Sequence, residues 1–521
     1  MAPSRDQPRV WSDYCFLLFA AAFLYLDLFV LPATPIYDPN KDQLLNLHNA
    51  TRMLDGQMIY RDFFQFTTPG TELIYFALFR LFGVRAWIPN AMLVLLGLSV
   101  TWLCIFISRK IFNGLTVYLP ALLFLLLSLH PTLDGTHQWY SMLAVMAATA
   151  SVMEERSPTR VAGAAALCAL ASFFTQTRGV AAIAGLAVFL WWEHPREPQG
   201  ARSLLKTEAL LAGVFSAVTV GLNLYFIWAA GLQRFLWCTV TFMLKYYPTD
   251  APSNNLQAYM AFMPSPPHWY HPALLAWIFI HALLPLVYLL FFARCWRESR
   301  KRPEQPWDRL MLLSLMGLFL FSAVAPAPDY GRLCAVAFPG LIIFVWFLIA
   351  AGKLHFLARQ VLWLSTGIVL VGSALHSQTR RWVNFDSPIG RVALYDSQIH
   401  DRYEWLRSHT HPGQFLFDGR GEVYYLLGLR SPAEVQFLAY TDYLRPGQVR
   451  NVVESLETWR VSMVLWCPGF DAGAQGYQPG DHLGPLRAYL NSHYHQVTVL
   501  GNDVEVLERN GPPVSASDAI R

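Results

Sequence analysis

Charge is scarce in this 521-residue chain: 14% of its residues are Asp, Glu, Lys or Arg, against about 25% in an ordinary soluble domain. A soluble enzyme is therefore not the expectation. The formal charge of +4 is small and scattered, whereas a nucleic-acid binder needs a concentrated basic face; no nucleic-acid partner is expected. The seven cysteines form no C-x-x-C pair and no Cys/His cluster, which excludes zinc-finger and thiol-redox readings. Five of them (Cys15, Cys104, Cys168, Cys295 and Cys334) lie in or beside apolar runs, so no disulfide framework is implied. Neither G-x-G-x-x-G nor a Walker loop occurs, and an activated substrate is not expected to be a cytosolic nucleotide. There is no internal repeat and no low-complexity tract.

What the chain has is apolar surface, 54% of its residues. The charges divide unevenly: 29 fall in the 142 residues from Arg380 to Arg521 and 45 in the first 379. A lipid-adapted body, 1–380, is expected to precede a water-adapted domain, 381–521. Crossing a hydrocarbon core of about 30 Å takes roughly 17 to 25 residues. Eleven runs approach that length, near 12–33, 87–108, 114–131, 139–153, 160–175, 179–193, 207–230, 271–293, 309–326, 332–352 and 361–377. Runs four to six are short or interrupted. The first run is no cleaved signal, because it is long and no small-residue cleavage site follows it.

With the N-terminus cytoplasmic, seventeen Lys and Arg residues fall in inner loops and nine in outer segments, the distribution that the positive-inside rule selects. The outer loops 34–86 and 231–270 are long, which in a compact membrane protein marks function. TELIYFALFRLFG (71–83) carries Glu72 and Arg80 and is expected to lie in the outer interface without crossing. The tail reads as a small exoplasmic α/β domain: strand 413–418, helices 421–429 and 449–459, strand 461–466, helix 483–494, strands 496–501 and 504–509.

The first outer loop, YDPNKDQLLNLHNATRMLDGQMIYRDFFQFTTPGTELIYFALFRLFG, carries a resemblance. An acidic residue after span one, a helix ending A-x-R-x-L-D-G, then Y-R-D-F, then P-G and an aromatic helix ending L-F-G resemble bacterial GT-C-fold glycosyltransferases. These are polytopic enzymes related to protein O-mannosyltransferases and the lipid A aminoarabinose transferase. The resemblance implies a mainly helical GT-C architecture in the bacterial inner membrane. It also implies a sugar taken from a polyprenyl-phosphate donor on the outer leaflet, inversion at the anomeric centre, and an exoplasmic glycan, lipid or protein acceptor. The family's base is a loop-one carboxylate, and its position falls on Asp42, with Gln43 where the family has a second acid. Asp38 is the alternative, and Asp38-Pro39-Asn40 is also a plain helix-start signal. A carboxylate suits the role because an acceptor hydroxyl must lose its proton as it attacks; a positioned base contributes about 10²- to 10⁴-fold.

The family's lysine before Pro-Pro is missing from Phe66-Thr67-Thr68-Pro69-Gly70. Lys41, Arg61 and Arg178 are the candidates to meet the donor phosphate in its place, although Arg61 can equally form a structural ion pair with Asp62. HPTLDGTHQWY (130–140) resembles the family's second acidic position, with Asp134 as a catalytic candidate and His137 beside it; a plain turn and an interface histidine are the alternatives. Arg178, in the turn FFTQTRG, offers a bidentate fork for phosphate or a snorkelling headgroup contact. Arg332 in PAPDYGR either meets the lipid phosphate or pairs with Asp329. One phosphate leaves rather than a nucleoside diphosphate, so neither a metal nor another cofactor is expected. A transporter or flippase is the rival class; polar residues gathered at one face, without midmembrane repeats, argue against it. A non-catalytic family member is the third reading.

Overall fold

The computed structural model describes residues 7–36, 42–194, 201–249, 274, 277–350, 355–475, 480–501 and 503–511. The chain forms two compact units. Unit 1 takes Met1–Leu28, Ala91–Leu224 and Pro252–Thr379, and unit 2 takes Phe29–Asn90, Tyr225–Ala251 and Arg380–Arg521. The first outer loop thus belongs to the same unit as the tail.

In chain order the first helices are α1 (Gln7–Leu28), α2 (Asp42–Leu54), α3 (Gly70–Phe82), α4 (Trp87–Ser108), α5 (Leu119–Phe124), α6 (His137–Val152), α7 (Pro158–Phe174), α8 (Gln176–Glu193) and α9 (Ala201–Ala230). Among the described residues seven helical stretches are long and apolar enough to cross a membrane: Trp11–Leu28, Trp87–Ser108, Gly114–Thr132, Arg202–Ala230, Phe279–Glu298, Trp307–Val324 and Arg359–Thr379. The pair Tyr330–Val336 and Phe338–Ala350, bent by 65°, makes an eighth if it is one span. This is a multi-pass membrane protein. The difference from eleven runs lies at α6, α7 and α8: α6 and α7, with 16 and 17 residues, reach only about 24 to 26 Å at 1.5 Å per residue, and α8 begins with the polar Gln176-Thr177-Arg178 and ends on Glu193. These helices hold together by close approach: small residues in MAATAS and AGAAALCALAS let backbones meet where no hydrophobic effect separates lipid from side chain.

The stretch Gly114–Thr132 is irregular, passing from a 3₁₀ turn into α5, a π-helical turn at Leu125–Leu129 and a 3₁₀ turn at His130–Thr132. Pro131 lacks the N–H a continuing helix needs, so the chain leaves the helix there and turns at Asp134.

Among the described residues unit 2 holds two sheets. β1 (Thr34–Ile36) runs parallel to β3 (Gly390–Leu394), with Thr34 opposite Val392, and β2 (Val383–Ser387) closes a hairpin onto β3. The second sheet has the order β4-β5-β7-β6, from β4 (Phe417–Asp418), β5 (Met463–Trp466), β6 (Tyr494–Leu500) and β7 (Val504–Arg509). Of the expected tail elements, strand 413–418 shrinks to two residues. Helix 421–429 shrinks to Tyr424–Leu427; at its C-terminal end Gly428 takes φ 64°, a left-handed stop that glycine adopts without steric cost. The β2–β3 hairpin and the helix Ser397–His409 were not expected. Helix α3 is present, and its 13 residues span about 20 Å, too short to cross.

Candidate functional site

In unit 1 the polar groups gather where α6, α8 and the helix Tyr330–Val336 begin. Helix α7 ends at Phe174 and α8 starts at Gln176, so one residue turns the chain. That approach needs glycine at 179: a Cβ there would lie 2.4 Å from both the Cys168 carbonyl oxygen and the Ser172 amide nitrogen. Held this way, Arg178 is 2% exposed and grips the first turn of α6. Its Nη1 donates to the Gln138 carbonyl at 2.7 Å and to Ser141 Oγ at 3.2 Å, and its Nη2 donates to Gln138 Oε1 at 2.9 Å. It also lies within electrostatic range of Arg332, Asp329 and Asp134. His137 opens α6; burial first, then the charges of Arg178 and Arg332, push its imidazole down to about 3, so it is a neutral group.

Asp134 is half-buried, its amide donating to the Thr132 carbonyl at 2.8 Å and its Oδ1 accepting from Thr136 Oγ1 at 3.3 Å. Arg332 pairs with Asp329 (Nε to Oδ2, 2.8 Å) and donates Nη1–H to the Ala327 carbonyl. The other carboxylate oxygen of Asp329 caps the helix by accepting from the Arg332 amide. The ion-pair alternative for Arg332 is therefore the observed arrangement.

In unit 2, Asp42 is the first residue of α2 and is exposed, accessible as a base must be. Asp38 and Lys41 lie outside the described residues. Arg61 and Asp62 form a bidentate pair at 2.9 and 2.7 Å, with Asp62 Oδ2 also accepting from the Met58 amide. The Arg61 hydrogen bond is the main reason the Asp62 carboxyl sits below its ordinary range. Here too the structural alternative is the one observed, although Arg61 remains 54% exposed. The residue that sequence reasoning passed over is Glu72, used only to argue that α3 does not cross. It is fully buried, and its Oε1 accepts from Gln65 Nε2 at 2.6 Å and Asn49 Nδ2 at 3.4 Å while, among the described residues, Oε2 has no hydrogen-bond partner. Burial raises its pKa against those hydrogen bonds. A second overlooked acid is Asp27 of unit 1, whose signal was visible: a carboxylate deep inside an apolar run is a functional hypothesis by default.

Among the described residues no three His, Cys, Asp or Glu side chains come together to hold a metal.

An irregular helical membrane body joined in one chain to a small α/β unit that includes the first loop has the GT-C fold. Two solved structures, both of ArnT from Cupriavidus metallidurans, carry that comparison. With the form bound to undecaprenyl phosphate the match covers 97% of this chain and 99% of the other, at TM-score 0.57 and 13% identity. With the apo form it covers 98% and 100%, at TM-score 0.57 and 15% identity. At such identity the likeness is one of fold. No protein-family model matches the sequence, and no curated protein matches it significantly.

Proposed function

We propose that this protein is an inner-membrane glycosyltransferase that moves a pentose or hexose from a polyprenyl-phosphate donor to an exoplasmic glycan, lipid or protein, inverting the anomeric centre. The observation that carries this reading is the end-to-end fold match with ArnT in its undecaprenyl-phosphate-bound form. The residues support it. Asp42, exposed at the start of α2, is the general base that takes the acceptor's hydroxyl proton. Arg178, beside Asp134 and Arg332, supplies positive charge to a phosphate whose negative charge grows as the sugar leaves. A fixed cation in a poorly hydrated site is worth more to that transition state than to the ground state. Asp134 and His137 shape the same end of unit 1, His137 as a neutral hydrogen-bonding group. The Arg61–Asp62 pair and, among the remaining cations, Lys41 are secondary candidates for substrate contact, with Asp38 the alternative base.

Transfer assays on the purified protein in nanodiscs, with undecaprenyl-phosphate pentoses and hexoses and envelope extracts as acceptors, test this. Sugar-dependent release of undecaprenyl phosphate and a product of inverted configuration are expected. No release with any donor, or ion-coupled lipid movement in its place, overturns the reading.

A further inference from the structure

Asp27 is a buried acid that nothing above employs. It sits one residue before the end of α1 with its side chain 1% exposed, and its Oδ2 lies 2.7 Å from Nδ1 of His130, whose side chain is 29% exposed. Removing a carboxylate from water costs several kcal/mol unless a partner compensates; the imidazole is that partner. Both ends of the contact are held by backbone. Ser377 Oγ donates to the Asp27 carbonyl at 3.1 Å, and His130 is fixed between the π-helical turn Leu125–Leu129 and Pro131. With Nδ1 committed to Asp27, the ring has one polar atom left. Among the described residues Nε2 makes no hydrogen bond, and the ring is the accessible member of the pair.

Its position adds a second argument. The turn His130–Thr132 packs against the helix Tyr330–Val336: Ser128 Oγ donates to the Cys334 carbonyl, and a Cβ on Gly331 would lie 3.8 Å from Thr132 Cγ2. His130 therefore belongs to the end of unit 1 that carries Arg332, Arg178 and Asp134.

We propose that His130, oriented by Asp27, binds the phosphate of the lipid-linked donor, an inference that rests on the donor class proposed above. As the acceptor oxygen bonds to the anomeric carbon, the bond from that carbon to the phosphate oxygen breaks and its electron pair stays on the phosphate. The acceptor's proton goes to the base, while His130, its Nδ1 held against Asp27, donates Nε2–H to a phosphate oxygen. The hydrogen bond to phosphate is charge-assisted, roughly twice as strong as a neutral one, so the site favours an anionic headgroup over an alcohol. His130 touches substrate; Asp27 acts through it and is a positioning residue.

The test is titration of the detergent-solubilised full-length protein with undecaprenyl phosphate, undecaprenol and inorganic phosphate, followed by tryptophan fluorescence. His130→Asn is the decisive variant, because its amide reaches Asp27 as Nδ1 does and so preserves the buried contact while removing the distal donor. Affinity for undecaprenyl phosphate should fall about tenfold or more, with undecaprenol binding unchanged. His130→Gln, which returns an N–H near the Nε2 position, should recover part of the loss, and Asp27→Asn should fall between. Unchanged phosphate affinity in His130→Asn overturns the inference, and an equal loss for phosphate and alcohol shows a structural pair instead. Inorganic phosphate competing as well as the lipid overturns the lipid assignment. A wild-type preference for phosphate over alcohol that survives His130→Asn sinks this inference alone; no wild-type preference sinks the donor reading with it.

Discussion

Replacing Gly179 by alanine should damage both the packing of unit 1 and the setting of Arg178. The added Cβ would stand 2.1 Å from Ser172 Oγ and 2.4 Å from both the Cys168 carbonyl oxygen and the Ser172 amide nitrogen. Ordinary contact is about 3.5 Å, so α7 and α8 must part by roughly 1 Å, an overpacking that costs about 1 to 3 kcal/mol. The same shift carries the guanidinium off Gln138, where its donors now sit at 2.7 and 2.9 Å; losing a hydrogen bond to a charged group adds about 1.5 to 3 kcal/mol. A total near 3 kcal/mol or more is expected, read as a lowered denaturation midpoint of the solubilised protein by tryptophan fluorescence. Because two of the three close atoms are backbone, adding Ser172→Ala should leave the double variant destabilised. Stability within about 0.5 kcal/mol of wild type, or full rescue by Ser172→Ala, would refute the reasoning.

Asp42→Asn should lower sugar transfer by about 10²-fold or more with the protein still in the membrane, and Asp38→Asn should be milder; the reverse order in a transfer assay would move the base by four residues. Arg178→Gln should lower single-turnover transfer by roughly 10²-fold, and Arg178→Lys should recover only part of it, since a point charge replaces a fork; normal rates in Arg178→Gln would remove this residue from the site. Glu72 has its pKa raised by burial, so the unfolded chain releases that proton first, and this group's contribution to stability falls as pH rises from the ordinary carboxylate value near 4.5 through the raised one. Glu72→Gln should flatten that slope in unfolding titrations; an unchanged slope would refute the assignment. Reporter fusions at Gly428 and Glu304 should report opposite compartments, the first exoplasmic, because six Lys and Arg residues lie between Arg294 and Arg309; the same compartment for both would overturn the topology.

Much of this protein could be read from local pattern. Apolar runs marked the membrane-crossing helices, because hydropathy accumulates within one segment and the bilayer fixes the length required. The first-loop motif led to the GT-C fold. The Arg61–Asp62 pair was legible because its members are neighbours. The tail's later strands followed from alternation, whereas Gly428 shortened the helix before it by a conformation that composition does not reveal. Other features depended on partners far along the chain. β1 joins β3 with Thr34 opposite Val392, a register that two sheet edges decide together, and it draws the first loop into the unit that holds the tail. Arg178 meets Gln138, and Asp27 meets His130 across 103 residues. Helical periodicity reports only which face of a segment is apolar. Which buried charge finds which donor is set by the packing of whole helices, and a buried ion persists only where that packing delivers its partner.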